Sequence, residues 1–149
     1  SFAVGADAVS TVKVGSIENP VLGNANIDVN VGEILNGSVG TGVNAETIIG
    51  SVVLDDPNTP VRGNVDITVT GGAINNFAIG IGNVDDAIRS KTYIGSIFDN
   101  SSPNKKINVT HGVVVNEGIG IVLDLGFLGT FRLVKTGCVR IGNVGAPDC

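Results

Sequence analysis

The sequence repeats with a constant step of 40 residues. Six positions carry the same residue in all three copies, and these are Asn24, Asn64 and Asn104; Ile27, Ile67 and Ile107; Val29, Val69 and Val109; Gly32, Gly72 and Gly112; Asn36, Asn76 and Asn116; and Gly40, Gly80 and Gly120. A step that holds at six positions within so short a window indicates one structural unit used three times.

Each copy contains apolar residues at every second position, which is the pattern of a half-buried β-strand. The first predicted strand of the copies covers 27–31, 67–70 and 107–110, and the second covers 34–39, 74–81 and 113–121. A third is predicted at 14–17, 49–52 and 94–97, with steps of 35 and 45 residues because its flanking loops vary. Gly32, Gly72 and Gly112 are predicted turns after the first strand, and we expect a positive φ at Gly72.

Composition favours a fold with few helices and a thin aliphatic core. The 149 residues fit one domain, aromatics are 4% of the chain, and there are 22 Gly. We therefore predict an all-β protein, a β-solenoid of three 40-residue repeats with a C-terminal cap, because stacked strands place identical residues in ladders. A β-trefoil or β-prism is the alternative, although such folds usually rely on aromatic residues. The expected regions are an N-terminal strand at 1–13, the repeat body at 14–122 and the cap at 123–149.

The N-terminal strand is the predicted assembly element. Phe2, Val4 and Ala6 alternate along it, and we expect it to have no partner copy within its own chain. Residues 1–61 hold one basic and seven acidic residues, whereas residues 104–149 hold five basic and three acidic ones. Opposite charges at the two ends of a linear repeat favour head-to-tail contact.

We expect the protein to be secreted. The chain begins at Ser1 and contains no Met, and removal of a secretory signal peptide is the simplest explanation that we expect for this. Its apolar runs are all shorter than a membrane span requires, so no spanning segment is expected.

Three short phrases carry a family resemblance: NFAIGIGN at 76–83, YIGSI at 93–97 and NVDITV at 64–69. They resemble the Asn/Gly-rich repeats of secreted bacterial surface and biofilm-fibre proteins, curlin-like in the broad sense. The resemblance implies an extracellular structural protein that assembles into fibres. Its implied partners are copies of itself in a homopolymer, with matrix polysaccharide as a second candidate.

The residues offer little for catalysis, and we expect no enzyme. His111 is the single His, so a catalytic triad or a His-based metal site lacks its partners, and a surface position beside a turn is expected for it. Neither a cofactor nor a nucleic-acid partner is expected. Clustered oxygens make the pairs Asp55-Asp56 and Asp85-Asp86 candidate calcium ligands. Three asparagines match the glycosylation acceptor pattern, and they are Asn36, Asn100 and Asn108.

Two functions fit the sequence. The first is a structural subunit of an extracellular fibre or biofilm matrix filament, which assembles head to tail through its N-terminal strand. The second is a secreted carbohydrate-binding module of trefoil or prism type. Sugar sites commonly present one aromatic platform in each repeat, whereas Phe77 and Tyr93 have no equivalent in the other copies. This difference favours the fibre.

We predict a disulfide between Cys138 and Cys149, the two cysteines of the chain, because they lie close in sequence and secretion would expose them to oxidising conditions. Closing this short loop should stabilise the fold by about 2 to 3 kcal/mol through restriction of the unfolded chain. Mass spectrometry after alkylation, with and without prior reduction, tests the bond. Two alkylated thiols in unreduced protein would contradict it.

Overall fold

The structure is a computed structural model that describes residues 1–18, 22–53, 63–82, 88–98, 104–124, 130–142 and 144. Over these residues the protein is all-β with parallel sheets, as its alternating apolar pattern predicts. The candidate calcium pairs Asp55-Asp56 and Asp85-Asp86 lie outside the described residues, as does Asn100. The described part of the chain contains no helix of the length and apolarity that crossing a membrane requires.

Twelve strands make up this part of the chain. They are β1 (Phe2–Ala6), β2 (Val9–Val14), β3 (Ala25–Val31), β4 (Ile34–Thr41), β5 (Val43–Ile49), β6 (Val65–Gly71), β7 (Ile74–Gly82), β8 (Ile88–Ile94), β9 (Lys105–Thr110), β10 (Val114–Asp124), β11 (Thr130–Thr136) and β12 (Cys138–Ile141).

The strands form three sheets. The five-stranded sheet has the order β1-β4-β7-β10-β11, the four-stranded sheet the order β12-β8-β5-β2, and the three-stranded sheet the order β3-β6-β9. All of these neighbours pair in parallel except β10 and β11, which are antiparallel. From β1 to β10, successive strands along the chain therefore belong to different sheets, and only the antiparallel pair β10 and β11 joins consecutive strands within one sheet.

The 40-residue step appears in the pairing register. Ile27 is the partner of Ile67, which in turn is the partner of Ile107. In the five-stranded sheet, Asn36, Asn76 and Asn116 are partners in the same way. Equivalent residues of the copies thus lie next to each other, one strand apart.

The core lies between the three sheets and is aliphatic. Ile67 and Val69 of the three-stranded sheet pack with Ile74 of the five-stranded sheet and with Ile49 and Ile94 of the four-stranded sheet, and all five are at most 1% exposed. Branched aliphatic side chains suit this space because they pack well on a pleated surface and have few rotamers. A second cluster, which includes Val43, Ala45, Ala78 and Ile88, fills the corner between the five- and four-stranded sheets.

The expectation that the N-terminal segment has no partner in its own chain is wrong. β1 pairs with β4 from Phe2 opposite Gly37 to Ala6 opposite Thr41, and β2 pairs with β5. Both pairings follow a step of 35 residues, which is the step of the third predicted strand. The segment is a shorter copy of β4 and β5, so it adds one strand to each of two sheets.

The third predicted strand is also wrong in its position. The strands of the four-stranded sheet lie just before the predicted positions and end at Val14, Ile49 and Ile94. The predicted positions themselves are corners, where each strand ends at a glycine with positive φ. These glycines are Gly15 (59°), Gly50 (52°), Gly95 (56°) and Gly142 (60°). A left-handed backbone conformation turns the chain and ends the strand. After each corner a single bridge continues the alignment, as Ile17 with Val52, Val52 with Ile97 and Ile97 with Val144.

Gly32, Gly72 and Gly112 lie where predicted, between the first strand of a copy and the next strand, but the positive φ expected at Gly72 is wrong. The constraint at Gly72 is space. A Cβ there would lie 2.8 Å from the carbonyl oxygen of Gly32, whereas a Cβ at Gly32 would meet no atom within 4 Å. Close backbone approach between stacked turns therefore accounts for Gly72.

The C-terminal region continues two of the sheets. The expected boundary at residues 122 and 123 falls inside β10, which ends at Asp124. β11 then pairs antiparallel with β10 and forms the edge of the five-stranded sheet. β12 pairs in parallel with β8 and begins at Cys138. Cys149 lies outside the described residues, so the disulfide stays a prediction.

Close approach also explains the glycines at 40 and 80. A side-chain methyl at Gly80 would overlap the carbonyl oxygen of Gly40, and one at Gly40 would overlap that of Gly5. These residues face one another across neighbouring strands of the five-stranded sheet. The strands are close enough here that only hydrogen fits.

We predict that Gly80→Ala lowers the free energy of unfolding by about 2 kcal/mol, since the overlap forces the backbone to move. Gly32→Ala is the matched control, because its added methyl enters open space. The control should be neutral or up to about 1 kcal/mol stabilising through the unfolded chain. Urea denaturation of both variants measures the difference, and equal free energies of unfolding would refute the close approach.

Candidate assembly surfaces

A ladder of buried asparagines joins two of the sheets. Asn36 and Asn76 are 0% exposed and point inward from β4 and β7, and Asn116 continues the row on β10. The Nδ2 atom of Asn36 donates to Oδ1 of Asn76 at 2.9 Å, and that of Asn76 donates to Oδ1 of Asn116 at 2.8 Å. Each amide thus bonds to the next one along the stack of strands.

The same amides bond across to the four-stranded sheet. Asn36 Nδ2 donates to the Glu46 carbonyl at 2.9 Å, and Asn76 Nδ2 donates to the Lys91 carbonyl at 2.9 Å. Asn116 Nδ2 reaches the Cys138 carbonyl at 3.0 Å. The three carbonyls belong to register partners on β5, β8 and β12. The ladder therefore fixes the height of one sheet relative to the other, because a shift of either sheet would break all three bonds.

Hydroxyl groups complete the buried network. Ser10 Oγ donates to Oδ1 of Asn36 at 2.6 Å, and Thr92 Oγ1 donates to Oδ1 of Asn116 at 2.9 Å. Thr47 Oγ1 lies 3.1 Å from Oδ1 of Asn76.

Asn36 was a candidate glycosylation acceptor, and burial in this network makes that role incompatible with the folded chain. Asn108 lies on an exposed position of β9.

The outer edge of β1 carries the predicted assembly residues. Gly37 N–H donates to the Ser1 carbonyl and Asp7 N–H donates to the Thr41 carbonyl, so odd-numbered residues direct their backbone toward β4. Alternate residues of a strand direct their N–H and C=O groups to opposite sides. Phe2, Val4 and Ala6 therefore direct theirs to the free side of β1, which is one edge of the five-stranded sheet. Edge groups of this kind can pair with another strand.

The three sheets end evenly on the β1 side and unevenly on the other. Each sheet begins with one of β1, β2 and β3, whereas the far edges are β11, β12 and β9 in sheets of five, four and three strands. Among the described strands, β11 therefore extends farthest along the stack. A second copy approaching that end would meet β11 first.

The outer face of the five-stranded sheet is apolar. One row of register partners consists of Val4, Val39, Ile79 and Ile119. A second row contains Ile81, Ile121 and Leu133, of which Leu133 is 78% exposed. Other outward residues of the sheet share this character, and they are Phe2, Leu35 and Val115. We call these residues together the apolar face.

The three-stranded sheet shows the usual arrangement, in which outward positions are polar. Its central outward row is Asp28, Thr68 and Asn108, opposite the buried row of Ile27 and Ile67. In the five-stranded sheet the inward positions that follow Ile34 and Ile74 instead hold asparagine, serine, alanine and glycine, so the larger apolar residues in that part of the strands point outward. The alternation of apolar and polar residues alone predicts that Ile79 and Ile119 face the core. The asparagines that recur at the 40-residue step occupy the opposite side of these strands, and their recurrence is the sequence signal that this side is the buried one.

Two surface recesses accompany these features. One of about 490 Å³ lies at the start of the three-stranded sheet and is lined by the amides of Asn24, Asn64 and Asn104 together with Lys105 and Lys106. Asn104 Nδ2 donates to Oδ1 of Asn64 at 3.0 Å. The second, of about 310 Å³, lies between β7 and β10 on the apolar face. Both are open grooves, and the residues that line them do not form a set of catalytic side chains.

His111 is the remaining candidate residue within the described part of the chain. His111 is exposed, as expected, and its Nδ1 atom lies 2.7 Å from the Gly112 carbonyl oxygen. Within the described ranges, no group of three acidic, His or Cys residues could hold a metal ion.

Both aromatic residues considered for a sugar platform pack against a second aromatic ring. Tyr93 is 2% exposed and packs edge to face against Phe98 at a centroid distance of 4.8 Å. Burial raises the pKa of the Tyr93 hydroxyl, the negative charge of Glu46 adds to the increase, and Arg140 opposes it. Phe77 lies over Gly37 and packs 5.9 Å from Phe2. Both rings are thus used in packing.

Comparison of the chain with protein-family models, with curated proteins and with solved structures gives no match. Function is therefore argued from the geometry of these surfaces.

We predict that Asn76→Ala lowers the free energy of unfolding by on the order of 3 kcal/mol, because it removes the buried hydrogen bonds that Asn76 makes with Asn36, Asn116 and the Lys91 carbonyl. Asn64→Ala is the matched control, since Asn64 belongs to a ladder with the same step on the exposed surface. Its loss should cost less than about 0.5 kcal/mol. Thermal and urea unfolding of both variants compares them, and similar losses would show that the buried ladder has no special role.

Proposed function

We propose that the protein is a structural subunit of an extracellular fibre or biofilm matrix filament. Its repeats stack as a β-solenoid, and copies join head to tail through β1. The observation that carries the proposal is that the five-stranded sheet ends in two edge strands, β1 on one side and β11 on the other. A second copy that places its β1 beside β11 continues the sheet from one chain into the next.

The backbone of β1 supports such a join. The N–H and C=O groups of Phe2, Val4 and Ala6 are directed to the outer edge, and strand addition at an edge draws its affinity from main-chain hydrogen bonds of this kind. Because β11 runs antiparallel to β10, a copy stacked in the same orientation would present its β1 antiparallel to β11.

Charge supports the same orientation. Residues 1–61 are acidic overall and residues 104–149 are basic overall. Asp7 follows β1 directly, and Lys135 is an exposed residue of β11. Opposite potentials would guide the two ends together and disfavour contacts between like ends.

The unequal lengths of the three sheets at the β11 end limit which strands can pair between two copies. The four- and three-stranded sheets stop below the level of β11, so among the described strands only β11 can reach β1 of the next copy directly. The contact between copies therefore depends on one strand pair, whereas the body of each copy is held by three sheets.

A carbohydrate-binding module is the second candidate, favoured by the amide-lined recess at Asn24, Asn64 and Asn104. Side-chain amides can donate and accept hydrogen bonds with sugar hydroxyls. Under the fibre proposal the same recess is the place for the matrix polysaccharide partner. Secretion and a non-catalytic role belong to both candidates.

We predict that Val4→Pro abolishes filaments and leaves the chain folded. Proline removes one N–H group on the free edge of β1, and proline is accepted on edge strands when that N–H faces solvent. Electron microscopy and sedimentation of concentrated protein measure assembly, and circular dichroism measures folding. Val4→Thr, which keeps the N–H group, is the control and should form filaments as the intact chain does.

Filaments of normal length from folded Val4→Pro protein would contradict the role of β1. An intact chain that stays monomeric at high concentration would contradict the fibre itself. Binding of a soluble polysaccharide by that monomer, lost on changing Asn64 to Ala, would establish the binding module instead.

A further inference from the structure

The apolar face is larger than the scattered apolar residues of an ordinary protein surface. Five strands about 4.8 Å apart and about seven residues at 3.3 Å each give a face of roughly 500 Å² per copy. Typical monomers expose largest patches of roughly 300 to 600 Å², and such patches often mark interaction sites. The face is therefore at the size where a partner is expected.

The shape and charge of this face fit another sheet. Its outward side chains are mainly aliphatic and stand in straight rows, as Val39, Ile79 and Ile119 do. The charged pair on the described part of the face is Glu117 and Lys135, whose Oε1 and Nζ atoms lie 2.9 Å apart and offset each other. A mainly aliphatic sheet face with balanced charge can pack on a second sheet at a separation of about 10 Å.

A single copy offers too little area for this packing to be stable. Specific protein interfaces bury about 800 Å² on each partner, which exceeds the face of one copy. Two or more copies in a row provide that area. Because β1 and β11 are the edges of the same sheet that carries the face, joining copies through these strands continues the face along the filament.

We propose that two filaments pair laterally through the apolar face, with the same face of a second filament as its occupant. This inference rests on the proposed function, because it requires the head-to-tail join to add the faces together. The isologous arrangement brings like rows together across a two-fold axis. Single chains remain unpaired, and pairing begins only when several copies act at once.

The test places charge on the face without touching the join. In the double variant Ile79→Lys with Ile119→Lys, both substituted residues are register partners and are 46% and 37% exposed, so the lysines can reach water without disturbing the core. The control is Thr68→Lys with Asn108→Lys, which places two lysines on register partners of the three-stranded sheet. Folding of both proteins is checked by thermal unfolding.

Electron microscopy should show paired filaments for the intact chain and for the control. The face variant should form single filaments, with a width reduced about twofold and at least a tenfold smaller paired fraction. The folded Val4→Pro chain should sediment as a monomer, since one face alone is too small.

Four results would overturn the inference. Intact filaments that are single, while filaments themselves form, would refute lateral pairing and leave the proposed function standing. Pairing that persists in the face variant, or that is lost equally in the control, would assign it to another surface. Single intact filaments that bind phosphatidylcholine vesicles, with the binding lost in the face variant, would assign the face to lipid. An intact chain that forms no filaments would overturn the proposed function together with this inference.

Discussion

The buried amide ladder is the interaction on which the rest of the structure depends. Asn36 and Asn76 each donate one hydrogen bond to the next asparagine and one to a carbonyl of the four-stranded sheet. Asn116 donates to two carbonyls of that sheet, those of Ser90 and Cys138. A buried amide without partners is costly, so these bonds penalise every other alignment of the two sheets. Aliphatic packing alone would tolerate such shifts, because one isoleucine row fits against another in several positions. The ladder supplies specificity, and the aliphatic core supplies most of the free energy of burial.

Placing amides inside has a consequence for the surface. A strand whose inward positions are Asn76, Ala78 and Gly80 has its larger apolar residues, Phe77, Ile79 and Ile81, on the other side. The buried asparagine ladder and the apolar face thus both result from the alternation of inward and outward side chains along the same strands. On the inner side, Gly40 and Gly80 leave no room for a Cβ against the neighbouring strand. The same strands that align the sheets internally present a regular surface outside, where the proposed partner binds.

Much of the fold could be predicted from the sequence, because the repeat step is also the pairing register. Ile27, Ile67 and Ile107 show this directly. An N-terminal strand was predicted, but its pairing within the chain was missed, because Phe2 pairs with Gly37 at a step of 35 residues with little identity between the two segments. The corners at Gly50 and Gly95 were read as strands because their flanking isoleucines are apolar, although a left-handed glycine ends a strand. Of the site, Phe2, Val4 and Ala6 could be singled out by their alternation. β11 and the apolar face could not, since both depend on which side of a strand faces the core.

The segment that joins the five-stranded sheet to the four-stranded sheet differs in length between copies. Gly42 alone separates β4 from β5, whereas residues 83–87 separate β7 from β8. The ladder bonds are nevertheless equivalent in both copies, with Asn36 reaching Glu46 and Asn76 reaching Lys91. The side chains, and not the connecting segment, therefore hold the two sheets in position. A peptide tag or a small domain could consequently be inserted between β7 and β8 without changing the alignment, which would make the chain a scaffold for display at regular intervals along the proposed fibre.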